Sequence, residues 1–234
     1  MGRNRHDSYR VFGHYKTFIN LMIIRLIIVL TTFFFMSTLY SQSEWSLRKD
    51  TKGIKAFTRK NDWTKFDEYR IETRMKGDLA ALLAVFKDFD IYPELFDGID
   101  GVTTHVDEPD QYLNYITVNA PFPAKDRDGI YLNELSYDEE KKLLHIEVSC
   151  VEDYYEPSNK YIQIEICKGF WDVTQLPNGE IDLVHQFVLD PGGLVPAFII
   201  NLQTVKNPVK SIKLLKELIL LPKYQNKEFE ILSK

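Results

Sequence analysis

The mature-looking part of the chain, from Ser43 onward, alternates apolar and polar residues for most of its length, and that period of two predicts strands. "WSLRKDTKGIKAFTRK" reads as two strands around a turn at Asp50–Gly53, and "DEYRIETRMKG" as a third. The period then changes. In "DLAALLAVFKDFDIYPELF", Leu79, Leu82, Leu83 and Phe86 recur at helical spacing behind Asp78, a side chain suited to cap a helix N-terminus. Pro93 is expected to end or interrupt that helix. From Gly101 to Leu189 about six strands are expected, divided by turn signals such as "DEPD", "YDEEKK", "EPSN" and "LPNG".

The tail returns to the helical period. Phe198, Leu202, Val205, Val209, Ile212, Leu215 and Ile219 form one apolar stripe, which predicts a long helix over 198–221, bent or broken at Pro208. Lys206, Lys210, Lys213 and Lys216 lie off the stripe. They read as a solvated face, with a transient contact to anionic membrane as the second reading. Strands, helix, more strands and a long helix describe an α+β fold, an antiparallel sheet covered on one face. At 1.5 Å per residue the last helix is long enough to cross such a sheet, and a curved sheet gripping it leaves room for a cavity.

The first 42 residues are different. Five of the chain's 29 basic residues but one of its 34 acidic residues lie there, followed by the uncharged run Leu26–Gln42. A basic flank, about a dozen apolar residues and a small-residue exit describe a secretory signal peptide, with cleavage expected near Ser41 or Gln42. Met22 opens a compact version of the same signal and is a second candidate start. An uncleaved anchor is the alternative, although the run falls short of the ~20 residues that span a bilayer. Residues 43–234 are then read as one exported domain, periplasmic or secreted and monomeric. Its net charge moves from the whole-chain −5 to −9, which argues against nucleic acid as a partner.

Composition offers little chemistry. His105, His145 and His185 are far apart, and no HExxH, CxxC, GxSxG or phosphate-cradling glycine pattern occurs, so no metal, cofactor or catalytic residue is assigned. His185 shares a strand face with Leu183 and Phe187 and reads as an interior histidine with its hydrogen bonds satisfied. Cys150 and Cys167 are expected to be free thiols. Cys150 continues the apolar face Leu144, Ile146, Val148, whereas Cys167 falls opposite the face Ile162, Ile164, Ile166, Phe170.

Three stretches, taken together and in order, resemble a known family. They are "APFPAKDRDGIYL" (120–132), "CKGFWDVTQL" (167–176) and "LDPGGLVPAFIINLQTVKNPVKSIKLLKEL" (189–218). With Arg127-Asp128, Gly169-x-Trp171, the Asp190–Pro196 turn and Asn201, they are similar to the StAR-related lipid-transfer (START) domain, particularly its exported bacterial forms. The resemblance implies a helix-grip fold, in which a curved antiparallel sheet wraps a long C-terminal helix around a tunnel for one lipid or other hydrophobic molecule. It also implies Arg127 as a polar anchor in the tunnel. The expected ligand set is Arg127 with Tyr115, Thr117 and His185, and a wall built from Phe198, Leu202, Val205 and Val209.

Two readings of Arg127 stay open. It is a cavity anchor, or it pairs with Asp126 or Asp128 in a structural turn; Thr117 and Asn119 are further candidate partners. Face parity leaves the choice undecided, since Arg127, Tyr131 and Leu135 share one side of their strand and Ile130 and Leu132 the other. Gly129 stands where the family carries a large residue, and is expected to remove a wall contact or mark a bulge. The leading function is binding of a hydrophobic molecule for carriage or sequestration outside the cytoplasm. The alternative is a helix-grip enzyme, of cyclase or hydrolase type, using Arg127, His185 and Tyr115 in the same cavity. A collapsed tunnel serving protein interaction is the third.

Overall fold

The computed structural model describes residues 22–25, 44–120, 122–152, 154–155, 159–164 and 166–233. The chain divides at Gln42/Ser43 into two units. Of the first, residues 22–25 form an exposed helical turn; the expected signal segment otherwise lies outside the described residues. Among the described residues no helix is long and apolar enough to cross a membrane.

The second unit is a large curved sheet with helices on one face. Its strands are β1 (Ser46–Thr51), β2 (Ile54–Arg59), β3 (Glu68–Lys76), β4 (Ile99–Asp107), β5 (Gln111–Val118), β6 (Arg127–Asp138), β7 (Leu143–Cys150), β8 (Ile162–Gln163), β9 (Ile166–Gln175) and β10 (Glu180–Asp190). They run in the order β1-β2-β3-β10-β9-β7-β6-β5-β4, all antiparallel, while the two-residue β8 pairs parallel with β6. The mixed α+β architecture and curved antiparallel sheet expected from the sequence are present.

Register decides which side of each strand is the core. The pairs Tyr112↔Asn133, Asn133↔Val148, Ile146↔Trp171, Trp171↔His185 and His185↔Ile71 run across the sheet, and directly opposed residues point to the same face. That inner face holds Ile71, Leu135, Leu144, Ile146, Val148, Trp171, Val173, Ile181 and Leu183, all buried.

Among the described residues of this unit, four α-helices accompany the strands. Helix α1 (Leu79–Phe86) begins where Asp78 accepts a hydrogen bond from Ala81 N at 2.7 Å. It ends at Phe86, seven residues short of Pro93. Pro93 instead lies in the first turn of α2 (Tyr92–Leu95), where a missing N–H removes no helical bond. Phe86 packs at a tilt against Trp171, 4.8 Å between ring centroids, and so seats α1 on the sheet.

The tail forms two helices rather than one: α3 (Ala197–Gln203) and α4 (Lys206–Leu218). Proline explains the break. Its ring conflicts with the carbonyl four residues earlier, here that of Thr204, and in the first turn of α4 its missing N–H costs nothing. Pro208 therefore starts α4 instead of bending a longer helix. Val209, Ile212, Leu215 and Ile219 are buried against the sheet, each contributing about 1.5–3 kcal/mol. The stripe does not extend back through α3. Phe198 is 67% and Leu202 71% exposed, Val205 is half-buried, and no residue of α3 is buried.

The cysteines are corrected too. Cys150 and Cys167 form a disulfide, with Cα atoms 5.1 Å apart. Ser149 pairs with Lys168, so the next pair in the ladder is Cys150 opposite Cys167. A single unbroken alternation from Ile162 to Phe170 is what sets Cys167 on the opposite face in the sequence. The strand is interrupted between β8 and β9, and in β9 the buried face is Cys167, Gly169, Trp171 and Val173, with Phe170 outside. Gly169 concealed that face because it has no side chain to mark it.

Candidate functional site

The inner face of the sheet changes character towards β5 and β6. Four polar side chains, Tyr112 and Asn114 on β5 and Tyr131 and Asn133 on β6, stand there as two opposed pairs, Asn114↔Tyr131 and Tyr112↔Asn133. Asn114 is fully buried, and neither its amide nitrogen nor its amide oxygen has a hydrogen-bond partner. Each polar atom buried without a partner costs about 1–3 kcal/mol. Burial pushes the Tyr131 hydroxyl well above its ordinary range, so it stays a neutral donor. Sequence reasoning did not single out Asn114 or Asn133. The signal was present: an asparagine in the middle of each of two strands, "YLNYITV" and "IYLNEL", at an inward position.

Arg127 lies on this same inner face, two alternations from Tyr131, and is 6% exposed. Its Nε donates to Pro191 O at 3.3 Å and its Nη1 to Lys125 O. Among the described residues no carboxylate forms an ion pair with it, so the second of the two readings, pairing with Asp126 or Asp128, is not found. Asp126 instead accepts from Ala120 N, and Asp128 points to the outer face. Burial lowers the Arg127 guanidinium from its usual value, with Asp126 opposing that shift. Arg127 is thus a strut between the start of β6 and the turn that launches α3.

That turn is built by its own side chains. Asp190 Oδ1 accepts from Gly192 N at 3.0 Å and Oδ2 from the Thr64 hydroxyl at 2.9 Å. Both Gly192 and Gly193 have φ of +68°, a conformation that favours glycine. Asn201 Oδ1 accepts from Asp67 N at 3.0 Å and so ties α3 to the segment before β3.

Tyr115 and Thr117 are not brought to Arg127. They alternate with Asn114 and Ile116 and face outward, and the Tyr115 hydroxyl donates to Asp128 at 3.0 Å. Burial, reinforced by Asp128, raises Tyr115 to about 12. Tyr155 packs edge-on against Tyr115 at 5.3 Å, so this outer patch is covered as well. Gly129 marks no bulge: pairing runs unbroken through Ile116↔Gly129.

His185 reaches the inner face but is fully committed. Its Nδ1 donates to Phe170 O at 2.9 Å, and its Nε2 accepts from the Tyr69 hydroxyl at 2.8 Å. Trp171 stacks on it at 3.4 Å and 3°. Burial lowers its pKa from 6.5 to about 3, against the opposing bond to Phe170. Among the described residues no carboxylate hydrogen-bonds it, so no acid–base pair forms at this position. No group of His, Cys, Asp or Glu side chains among the described residues is arranged to hold a metal ion.

The depressed pKa has a consequence for stability. The unfolded chain binds a proton below pH 6.5 that the folded protein refuses until about pH 3. Stability contributed by His185 is therefore full above pH 6.5 and declines by about 1.4 kcal/mol per pH unit below it. Urea unfolding between pH 6.5 and 5 is expected to show that slope, and His185→Gln to flatten it. Equal slopes in the two proteins would refute the assignment.

Comparison with known proteins agrees with this architecture. No protein-family model matches the chain. An uncharacterized protein of Pseudomonas aeruginosa is 23% identical over 172 residues, covering 73% of this chain and 84% of that protein. Among solved structures, a STAR-related lipid transfer protein from Xanthomonas axonopodis superimposes with a TM-score of 0.69 at 24% identity, covering 76% of this chain and 99% of that one. Human STARD10 gives 0.66 at 16% identity over 82% of this chain and 79% of its own. Human StAR-related lipid transfer protein 5 gives 0.64 at 14% identity over 85% and 96%. The curved antiparallel sheet and the C-terminal helix packed across it are thus those of the StAR-related lipid transfer fold.

Proposed function

We propose that the domain binds one hydrophobic molecule between the sheet and its C-terminal helices and carries or sequesters it outside the cytoplasm. One observation carries this reading: α3 is a strongly apolar helix, "AFIINLQ", with no buried residue. Leu194 in the preceding turn is fully exposed, and Phe198, Ile199 and Leu202 are substantially so. An apolar segment of this kind, tethered by Asn201 and the Arg127 strut and separated from α4 by the break at Thr204–Val205, suits a lid that opens for a ligand. Solved proteins of the same fold are named lipid transfer proteins, which supports the ligand class.

The exposed lid residues are assigned to a transient lipid surface, where their apolar area is removed from water. Lys206, at the start of α4, adds a positive charge beside them. Export is supported by the run Leu26–Gln42 and by the Cys150–Cys167 disulfide, a bond that persists in oxidising compartments.

Native mass spectrometry of gently purified protein is expected to show a bound lipid. If none is present and added lipids leave the melting temperature unchanged, the reading fails. The double substitution Phe198→Ser/Leu202→Ser is expected to leave stability within about 0.5 kcal/mol. It should slow transfer of a fluorescent lipid between vesicles about tenfold, the equivalent of ~1.4 kcal/mol.

A further inference from the structure

Alternation and register together show how few charges the inner face carries. Along β3 it presents Tyr69, Ile71, Thr73 and Met75, along β10 Ile181, Leu183, His185 and Phe187, and along β9 Cys167, Gly169, Trp171 and Val173. On β7 the inward side chains are Leu144, Ile146, Val148 and Cys150, and on β5 Tyr112, Asn114, Ile116 and Val118. His185 is neutral with both ring nitrogens engaged. Arg127 on β6 is therefore the one charged side chain on the inner faces of these strands and β6 among the described residues, Asp107 on β4 opposite Tyr112 being paired with Lys87, and two of the Arg127 nitrogens are held by backbone carbonyls.

Asn114 stands apart from this background. It lies four residues along its strand from Val118, the partner of Arg127, a backbone separation of roughly 13 Å at the strand rise. Its carboxamide offers two donors and one acceptor oxygen, all unpaired. Tyr131, directly across the ladder, is half-buried, and burial keeps its hydroxyl neutral. Buried polar groups in folded proteins are paired, and the unpaired carboxamide of Asn114 on this inner face is suited to a complementary group on a ligand.

We infer that Asn114, with Tyr131 beside it, recognises an uncharged polar group that both donates and accepts a hydrogen bond, a hydroxyl or a carboxamide, on an otherwise apolar ligand. This rests on the proposed carrier function and names the ligand class for it. A carboxylate or phosphate at this depth would be desolvated, since Arg127 is held by backbone carbonyls and Lys87, beside the Tyr112 ring, is already paired with Asp107, whereas an alcohol or amide exchanges its water bonds for those of Asn114 at little cost. The ligand is thus a long-chain alcohol, acylamide or comparable neutral lipid, its polar end inward.

The test uses the intact protein and four probes: oleyl alcohol, oleamide, oleate and the apolar dye N-phenyl-1-naphthylamine. Wild-type protein is expected to bind the alcohol and amide at least tenfold more tightly than oleate. Asn114→Leu should weaken both neutral ligands about 10- to 100-fold, Tyr131→Phe less, while dye affinity stays within about twofold. The melting temperature of ligand-free Asn114→Leu should be unchanged or raised, since an unpaired amide is replaced by an apolar side chain. Unchanged oleamide affinity in Asn114→Leu, or oleate preferred by wild type, overturns the inference and leaves the carrier function standing, because the dye still binds. The wild-type preference decides the matter even if the leucine variant folds poorly. Failure of wild type to bind any of the four probes overturns both.

Discussion

Gly169→Ala is expected to lower stability by about 3 kcal/mol or more and to reduce the yield of folded protein sharply. A Cβ on Gly169 would stand 2.1 Å from Gln186 O and 2.7 Å from Phe187 Cα. Both are backbone atoms of the paired strand β10, and neither can rotate away. The ladder itself would have to part at Gly169↔Phe187, two residues from the Trp171–His185 stack. Glycine is needed here for close approach of two strands in a sharply curved sheet. Gly129→Ala is the contrast: its Cβ would meet Tyr131 Cε2 at 3.3 Å and Ile164 Cβ at 3.4 Å, side-chain contacts that yield by small adjustments. It is expected to cost about 1 kcal/mol or less. Urea unfolding of the two variants checks the ranking, and a Gly169→Ala protein as stable as wild type would refute the close-approach argument.

Loss of the Cys150–Cys167 bond is the second large effect. The bond closes a 17-residue separation, and a loop of that size is worth about 3 kcal/mol through restriction of the unfolded chain. Cys150→Ala/Cys167→Ala, or wild type under reducing conditions, should show that loss in chemical denaturation. The segment between the two cysteines carries Tyr155, which covers Tyr115 and the outer side of β5 and β6. Reduction is therefore expected to loosen the outer patch first, seen as faster amide exchange near Ile130. Intact mass should be two protons below that of the reduced protein. A denaturation midpoint insensitive to reductant would mean the bond contributes nothing to the fold.

Local chemistry was well written in the sequence. The turn Asp50–Gly53, the Asp78 cap and the glycine turn after Asp190 each depend on residues within a few positions, so their types announced them. The START resemblance rested on such stretches, and the solved structures of that fold agree with it. The inner face was less legible. Leu113 and Ile130 are buried on the outer side, where Tyr115 and Tyr155 pack, so both faces of β5 and β6 look apolar and period two could not orient Arg127. Tyr115 and Thr117, expected beside Arg127 in the ligand set, stand on the other side of the sheet by register. The apolar stripe of the tail likewise said which residues align, not which are covered: the same pattern is buried at Val209 and Ile212 and exposed at Phe198 and Leu202.

The sequence by itself determined the element types, the α+β class and the break imposed by Pro208, because these follow from backbone preferences and short-range side-chain bonds. Tertiary structure alone decided the disulfide, the partners of Arg127, the neutral state of His185 and the isolation of Asn114. Each depends on which residues of distant strands stand opposite one another, and a one-residue change in that pairing would send every one of these side chains to the other face.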